Sequence, residues 1–197
     1  EARQDYKSFA EIGDSCAIGS SVLKSALSGQ AMNIAHLVHL LEKRGVKEIP
    51  DFISSIKSRS CGGILLPRRL SPQLARFLGY LISEGRLSRS NQAWFTNNDE
   101  AIINDYISCA KEVFGLEPKV FQYKKTTRDA LIFSHALNQF LEKAFGLKIG
   151  SVSKEKIVPA QIFSADSEII VSFLSSLFEG DGYVSVNRPG SGNYFEY

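Results

Sequence analysis

Two acids close two similar phrases. Glu84 stands in LGYLISEGRLS, residues 78–88, and Asp181 in LSSLFEGDGYVSV, residues 174–186, and each is followed at once by a glycine. A carboxylate at a helix C-terminus is badly placed, because the helix dipole disfavours negative charge there. Two such acids brought together also raise each other's pKa and cost stability. A divalent cation is the usual compensation. One or two carboxylates, with the remaining positions left to water and phosphate oxygens, describe a Mg²⁺ site of the phosphoryl-transfer kind. Glu84 and Asp181 are therefore candidate metal ligands. They could also be unrelated helix-end acids, but the same unfavourable placement used twice argues for a shared site.

The elements that must position them can be read from spacing. In the first helix Leu74, Phe77, Leu78, Leu81 and Ile82 form an apolar stripe, and Ala75, Gly79 and Ser83 form a stripe of small residues beside it. The second helix repeats the device with Ile170, Phe173, Leu174 and Leu177 against Ser172, Ser176 and Gly180. Small residues four apart let two helix backbones approach more closely than the usual 8–10 Å or so. If the helices pack along these stripes, both carboxylates arrive at one end of one interface.

Around this pair the chain reads as an ordered series. A helix over 72–85 is followed by a hairpin, RLSRS and QAWFTN. A helix capped by Asn98 or Asp99 and stopped by Gly115 comes next, then two strand-like runs, PKVFQYKK and ALIFS, and the helix HALNQFLEKAFGL. The order is αββαββα. After the connector SVSKEKIVPAQIF, a helix over about 167–180 and a strand begin the pattern again. The segment CGGILLPRRLSP reads as a linker with a short strand, and ahead of it SSVLKSAL, AMNIAHLVHLLEKRG and IPDFISSIKSRS are candidate helices. On the second of these, His36 and His39 sit three apart, but no neighbouring acid or cysteine supplies a third metal ligand.

Composition bounds the class. The chain has 197 residues, 44% apolar and 22% charged, which suits a soluble globular protein, and no window approaches a membrane span. It opens on EARQDYKSF, with neither initiator Met nor signal sequence, and is read as a fragment or processed piece of a cytosolic protein. Cys16, Cys61 and Cys109 are scattered and in no paired motif, so they read as free thiols. The net charge of +2 is unevenly spread. Residues 64–95 hold five arginines against one acid, and KVFQYKKTTR, residues 119–128, interleaves four cations with aromatic and amide groups. Such a strand suits a polyanion, with cations on phosphates and Gln and Tyr in reach of base edges, although a solvated strand face has the same composition.

LGYLISEG and FLSSLFEGDG resemble the two motifs of the LAGLIDADG family of homing endonucleases, often found inside inteins. Set on Phe77–Gly85, the motif meets Gly79, Leu81 and Gly85 directly or conservatively, with Glu84 in place of its final Asp. On Leu174–Gly182 it meets Leu174, Leu177, Asp181 and Gly182, with Glu179 as a conservative acid and Ser176 in place of a glycine. The acids lie 181 − 84 = 97 residues apart, which suits a single chain with two pseudo-symmetric halves. SKEKIVP is also similar to the stretch before the second motif of intein endonucleases, whose lysine three residues before the proline takes part in catalysis; here it is Lys156, before Pro159.

The resemblance implies an α+β LAGLIDADG fold with a helical region over 1–63, a first half over 64–166 and the start of a second, truncated half over 167–197. It implies a site-specific endonuclease acting on double-stranded DNA, monomeric as a complete two-motif chain, with Mg²⁺, or Mn²⁺ in its place, between Glu84 and Asp181. Lys156 would stabilise charge or position the attacking water. Arg86, Arg89, Gln92 and Trp94 on one hairpin, and Gln122, Tyr123, Lys124, Lys125, Thr127 and Arg128 on the other, would contact DNA, Trp94 being equally suited to the core. A non-catalytic DNA-binding regulator and an RNA-splicing maturase are the alternatives. The splicing residues of an intein are not seen, since the first residue is Glu1 and no His-Asn pair closes the chain, and the N-terminal helices fit either a splicing-module remnant or an accessory DNA-binding lobe.

Overall fold

The computed structural model describes residues 8, 11–12, 14, 17–28, 30, 32–43, 45–46, 53–57, 63–122, 127–150, 153–181, 183–185 and 194–196. The chain divides into two compact units, Glu1–Ile53 and Ser54–Tyr197. In the first, helices α1 (Ser20–Leu27) and α2 (Ile34–Lys43) accompany a small cluster of Ile12, Ile18 and Leu23, with Val22, Met32 and Leu40 against it. The apolar stripe of α2 buries no residue among those described, and Ile34 and Val38 are exposed.

The second unit opens with a correction. IPDFISSIKSRS was expected to be helical, but Ser55–Ile56 forms strand β1, antiparallel to β2 (Ile64–Leu65). The CGG turn lets the chain fold back so that Ile56 faces Ile64, and this pairing moves the unit boundary from 63 to 53. The following elements are α3 (Pro72–Ile82), β3 (Gly85–Ser88), β4 (Gln92–Asn97), α4 (Glu100–Phe114), β5 (Lys119–Gln122), β6 (Arg128–Phe133) and α5 (His135–Phe145). This is the expected αββαββα order. A 3₁₀ turn (Ser153–Glu155), the short α6 (Ala160–Phe163), α7 (Ser167–Asp181), β7 (Tyr183–Ser185) and β8 (Tyr194–Glu196) complete the unit, which is α+β.

Local chemistry sets these boundaries. Ser71 caps α3 by accepting from the Leu74 N–H at 3.2 Å with Pro72 in the first turn, and Asp99 caps α4 by accepting from Ala101 at 2.8 Å. Gly115 and Gly146 end α4 and α5 in the left-handed conformation, at φ of 65° and 70°.

Four antiparallel strands form one sheet in the order β3-β4-β6-β5. Alternation gives it two faces. Leu87, Ala93, Phe95, Ala130 and Ile132 are buried on the side covered by α3, α4 and α5. There an aromatic cluster fills the core: Phe77 stacks on Tyr106 with centroids 5.0 Å apart, Tyr80 meets Phe95 at 5.0 Å, and Phe114 sets its edge to Phe77 at 5.2 Å. Each such ring contributes roughly 1.5–3 kcal/mol by burial, so this layer dominates the unit's stability. Cys109 lies buried under it, its thiol pushed up to about 12 by burial.

Helix α7 packs on α3 along the small residues. A Cβ built on Gly79 would lie 2.6 Å from the Phe173 carbonyl oxygen, and one on Gly180 would lie 2.6 Å from the Ser83 Cβ. Ala75, Gly79, Ser83 and Ser176 are all buried in this seam. The outer side of α7 differs from that of α3. Leu74, Phe77 and Leu81 are buried beneath the sheet, whereas their counterparts 97 residues on, Val171, Leu174 and Phe178, are exposed.

The two glycines predict different genetics. Gly79→Ala should cost about 1–3 kcal/mol in a urea melt, because its clash is with backbone atoms, and Ser176→Gly should not restore it. Gly180→Ala should also destabilise but be recovered by Ser83→Gly, since its clash is with the Ser83 side chain. Wild-type stability for Gly79→Ala would mean that the helices do not approach through this seam.

Candidate functional site

The last turn of α3 runs directly into β3, and Gly85 makes that possible: a Cβ there would sit 2.9 Å from the Leu81 carbonyl oxygen. Glu84 is held at this corner, exposed, at the lower end of the seam. Asp181 ends α7 at the same end, and the two carboxyl groups are in hydrogen-bond contact. Two ionised carboxylates are acceptors only, so that bond needs a proton between them. Lys156 arrives from the turn after Ser153–Glu155 and lies within the field of both acids. Its Nζ donates to the Ser83 carbonyl oxygen at 2.6 Å.

The electrostatics follow from that crowding. Burial, then the hydrogen bond and charge of Asp181, push the Glu84 carboxyl above its ordinary value, with Lys156 pulling the other way. Burial pushes the Lys156 ammonium down, opposed by the charges of Asp181 and Glu84. The pair is thus strained toward holding a positive particle between its oxygens. Among the described residues no group of three or more His, Cys, Asp and Glu gathers, so this is not a cage built wholly from protein. Two hard oxygens from two helices fit a cation such as Mg²⁺, which keeps several waters and takes phosphate oxygens as further ligands.

A second network, not anticipated from the sequence, braces the same seam. Tyr80 Oη lies 2.6 Å from Glu179 Oε2 and 2.7 Å from Asp105 Oδ2. Arg76 donates to Asp105 at 2.8 Å and to Glu179 at 2.7 Å. Burial, then hydrogen bonds to Glu179 and Asp105, raise the Tyr80 hydroxyl far above its usual value. Burial works against the Arg76 charge, but Asp105, Tyr80 and Glu179 more than offset it. The network joins α3, α4 and the last turn of α7, which is the turn that carries Asp181. Only the i, i+4 spacing of Arg76 and Tyr80 hinted at it; Asp105 and Glu179 come from elsewhere in the chain.

The face of the sheet away from the helices carries part of the expected DNA-contact set. Arg86 and Trp94 are cross-strand partners, with the guanidinium 4.4 Å above the indole centroid. Trp94 is half-buried on this face and takes no place in the aromatic core. Gln92 lies beside it, opposite Ser88 on β3 and Phe133 on β6. Lys119 and Phe133, missed from sequence, also belong to this surface, the ammonium lying 5.9 Å from the ring centroid. Arg89 occupies the β3–β4 turn, with its side chain across Gly150. Gln122 and Arg128 do not join them. They share the strand parity of Ala130 and Ile132, on the helix side, and Arg128 bonds Glu100 of α4 at 3.1 Å. The physical reason is the period-two alternation of the strand, which one residue of register reverses. Thr127 precedes β6 and is partly buried, and Tyr123, Lys124 and Lys125, like Cys16, Cys61 and Gly182, lie outside the described residues.

No family model matches the chain. It is 32% identical over 125 residues to the large A component of the A-type ATP synthase of Pyrococcus abyssi, covering 64% of this chain and 12% of that protein. It is 32% identical over 114 residues to the A component of DNA gyrase from Mycolicibacterium flavescens, covering 56% and 20%. It is 29% identical over 143 residues to the replicative DNA helicase DnaB of a Synechocystis species, covering 62% and 16%. The chain thus spans 12% to 20% of the length of these relatives. Among solved structures it is similar to I-DmoI in complex with DNA and Mn, at a TM-score of 0.38 and 16% identity, over 58% of this chain and 64% of that one. A variant of I-DmoI in complex with its target DNA gives 0.39 and 16%, over 58% and 62%. No helix among the described residues is long and apolar enough to cross a membrane.

The raised Glu84 carboxyl has a signed consequence for stability. A carboxyl with a folded-state pKa above its unfolded value destabilises the fold at pH above that raised value, and the penalty is relieved as pH falls through it. Glu84→Gln, assayed by denaturant melts in chelator, should therefore be more stable than wild type at neutral pH. Its advantage should shrink as the pH is lowered. An advantage that is absent, or that grows on acidification, would mean that Glu84 and Asp181 do not crowd each other.

Proposed function

We propose that the chain is the central part of a LAGLIDADG homing endonuclease, associated with an intein, which hydrolyses both strands of a double-stranded DNA target. The observation that carries this reading is the hydrogen-bond contact of Glu84 and Asp181 across a seam of small residues, with Lys156 beside them. A pair of acids at two helix ends has no structural benefit without a counter-charge. The open sheet face adds Arg86, Trp94, Gln92 and Lys119, a mixture of cation, aromatic and amide groups suited to phosphates and base edges.

Glu84 and Asp181 would hold a divalent cation, Mg²⁺ or Mn²⁺, with one oxygen from each helix. When bound, such a cation supplies the charge that makes a water nucleophilic near neutral pH and stabilises a leaving oxygen. The residues themselves do the orienting. The α3–α7 seam fixes the two carboxylates relative to each other, and the Arg76–Tyr80–Asp105–Glu179 network keeps the last turn of α7 from fraying. Lys156, held by the Ser83 carbonyl, presents its remaining N–H groups to a phosphate oxygen or an attacking water.

Association with an intein is supported by the distribution of relatives. A synthase, a gyrase and a helicase share no common activity in their names, yet each is similar to this one segment over a small part of its length. That pattern is expected of an element inserted into unrelated hosts. The membership, the cation and the cleavage all belong to this proposal.

Purified full-length protein should cut a linear duplex library at one long site in Mg²⁺ and cease to cut in chelator. Glu84→Gln and Asp181→Asn should each reduce cleavage by on the order of a hundredfold or more while target binding persists. Undiminished cutting by both variants discards the assigned site. Specific binding without cleavage in either Mg²⁺ or Mn²⁺ favours the regulator, and selective binding of intron RNA favours the maturase.

A further inference from the structure

Gln92 is arranged as a hydrogen-bond donor only. Trp94 Nε1 donates to Gln92 Oε1 at 3.0 Å. An indole N–H cannot accept, so its partner must be the amide oxygen, and the orientation of the Gln92 amide is set by chemistry. The hydroxyls of Ser90 and Ser88 lie 3.2 Å and 3.3 Å from the same oxygen, and 2.9 Å from each other. Of their two protons, one serves the serine pair and the other reaches Oε1. An amide oxygen has two lone pairs. Trp94 and one serine fill both.

The backbone under this side chain is equally well held. Asn138 of α5 donates from Nδ2 to the carbonyl oxygens of Ser88 at 3.1 Å and Gln92 at 3.4 Å. The Ser134 N–H donates to the Asn91 carbonyl at 2.9 Å, closing the hairpin against β6. Trp94 is pinned in turn by the Arg86 guanidinium. What remains is the Gln92 Nε2 group, with two N–H donors on the open face; among the described residues no hydrogen bond uses them.

Resting on the reading of this face as the DNA surface, we propose that Gln92 selects guanine in the major groove of the target. A glutamine free to use both ends pairs best with adenine, which offers the N7 acceptor and the N6 donor. Here the acceptor end is consumed internally. Guanine offers N7 and O6, two acceptors for two N–H groups, while adenine would set its N6 amino group against an amide with no lone pair left. Thymine offers one acceptor and cytosine a donor. The identity read by Gln92 is therefore set by Trp94 and the serines behind it, which are positioning residues.

The test is selection of bound duplexes from a randomised library by full-length wild type and variants. Wild type should enrich guanine over adenine on the order of tenfold at one position, and Gln92→Ala should flatten that position alone. Trp94→Phe keeps a ring beneath Arg86 but frees Oε1, so adenine should rise to match guanine there. The paired change Ser88→Ala with Ser90→Ala should move the same position part of the way, and it serves where Trp94→Phe does not fold. Three results would overturn the proposal: adenine at the Gln92-dependent position in wild type, a guanine preference unchanged in the foldable Trp94 or serine variants, or a Gln92→Ala profile equal to wild type. Failure of wild type to enrich any sequence would sink the DNA reading itself, whereas normal enrichment indifferent to Gln92 would sink this inference alone.

Discussion

Everything in the larger unit depends on two helix backbones touching. Gly79 leaves no room for a methyl group below Phe173 and Ser176, and Gly180 leaves none below Ser83. A seam of ordinary side chains would hold α3 and α7 apart by the width of those side chains and separate their C-terminal acids accordingly. Because the approach is so close, Glu84 and Asp181 end in contact, and the electrostatic character of the site is a direct result of packing.

That contact is unfavourable in isolation, and the fold balances it in two different ways. At the tip Lys156 faces both acids and is tied to the Ser83 carbonyl. One turn higher, Arg76 holds Asp105 and Glu179 together around the Tyr80 hydroxyl. The lower arrangement leaves its acids exposed and competent to bind a cation, and the upper one neutralises its acids with a guanidinium. Adjacent acids on one helix turn thus serve different ends, bracing at Glu179 and chemistry at Asp181. The sheet contributes a separate layer in which Trp94, the serines and Asn138 restrict what a single glutamine can offer. Rigidity of that kind confers selectivity by removing an option, since an amide that can turn over would accept more than one base.

The elements themselves were largely legible from local signals. Ser71–Pro72 and Asp99 announced helix starts, Gly115 announced a stop, and period-two alternation marked QAWFTN and ALIFS as strands, each of which is an interaction within a few residues. Signals failed where a partner distant in sequence decided the outcome. Ile56 left a helical pattern because Ile64 pairs with it, and Arg128 turned from the open face because register with β4 and β5 set its parity. The stripe Val171–Leu174–Phe178 has a helical period and is nonetheless exposed, since periodicity reports an apolar face and not what covers it.

By itself, the sequence determined the order of elements, the two small-residue stripes and the repetition of an acid before glycine, because caps, turns and helical period act over short separations. Tertiary structure alone decided that the stripes meet each other, that Lys156 faces the acid pair, that Asp105 and Glu179 share Arg76 and Tyr80, and that Trp94 consumes the acceptor of Gln92. Those outcomes join residues from separate elements, and their geometry exists only once backbones have packed to within a single side chain of each other.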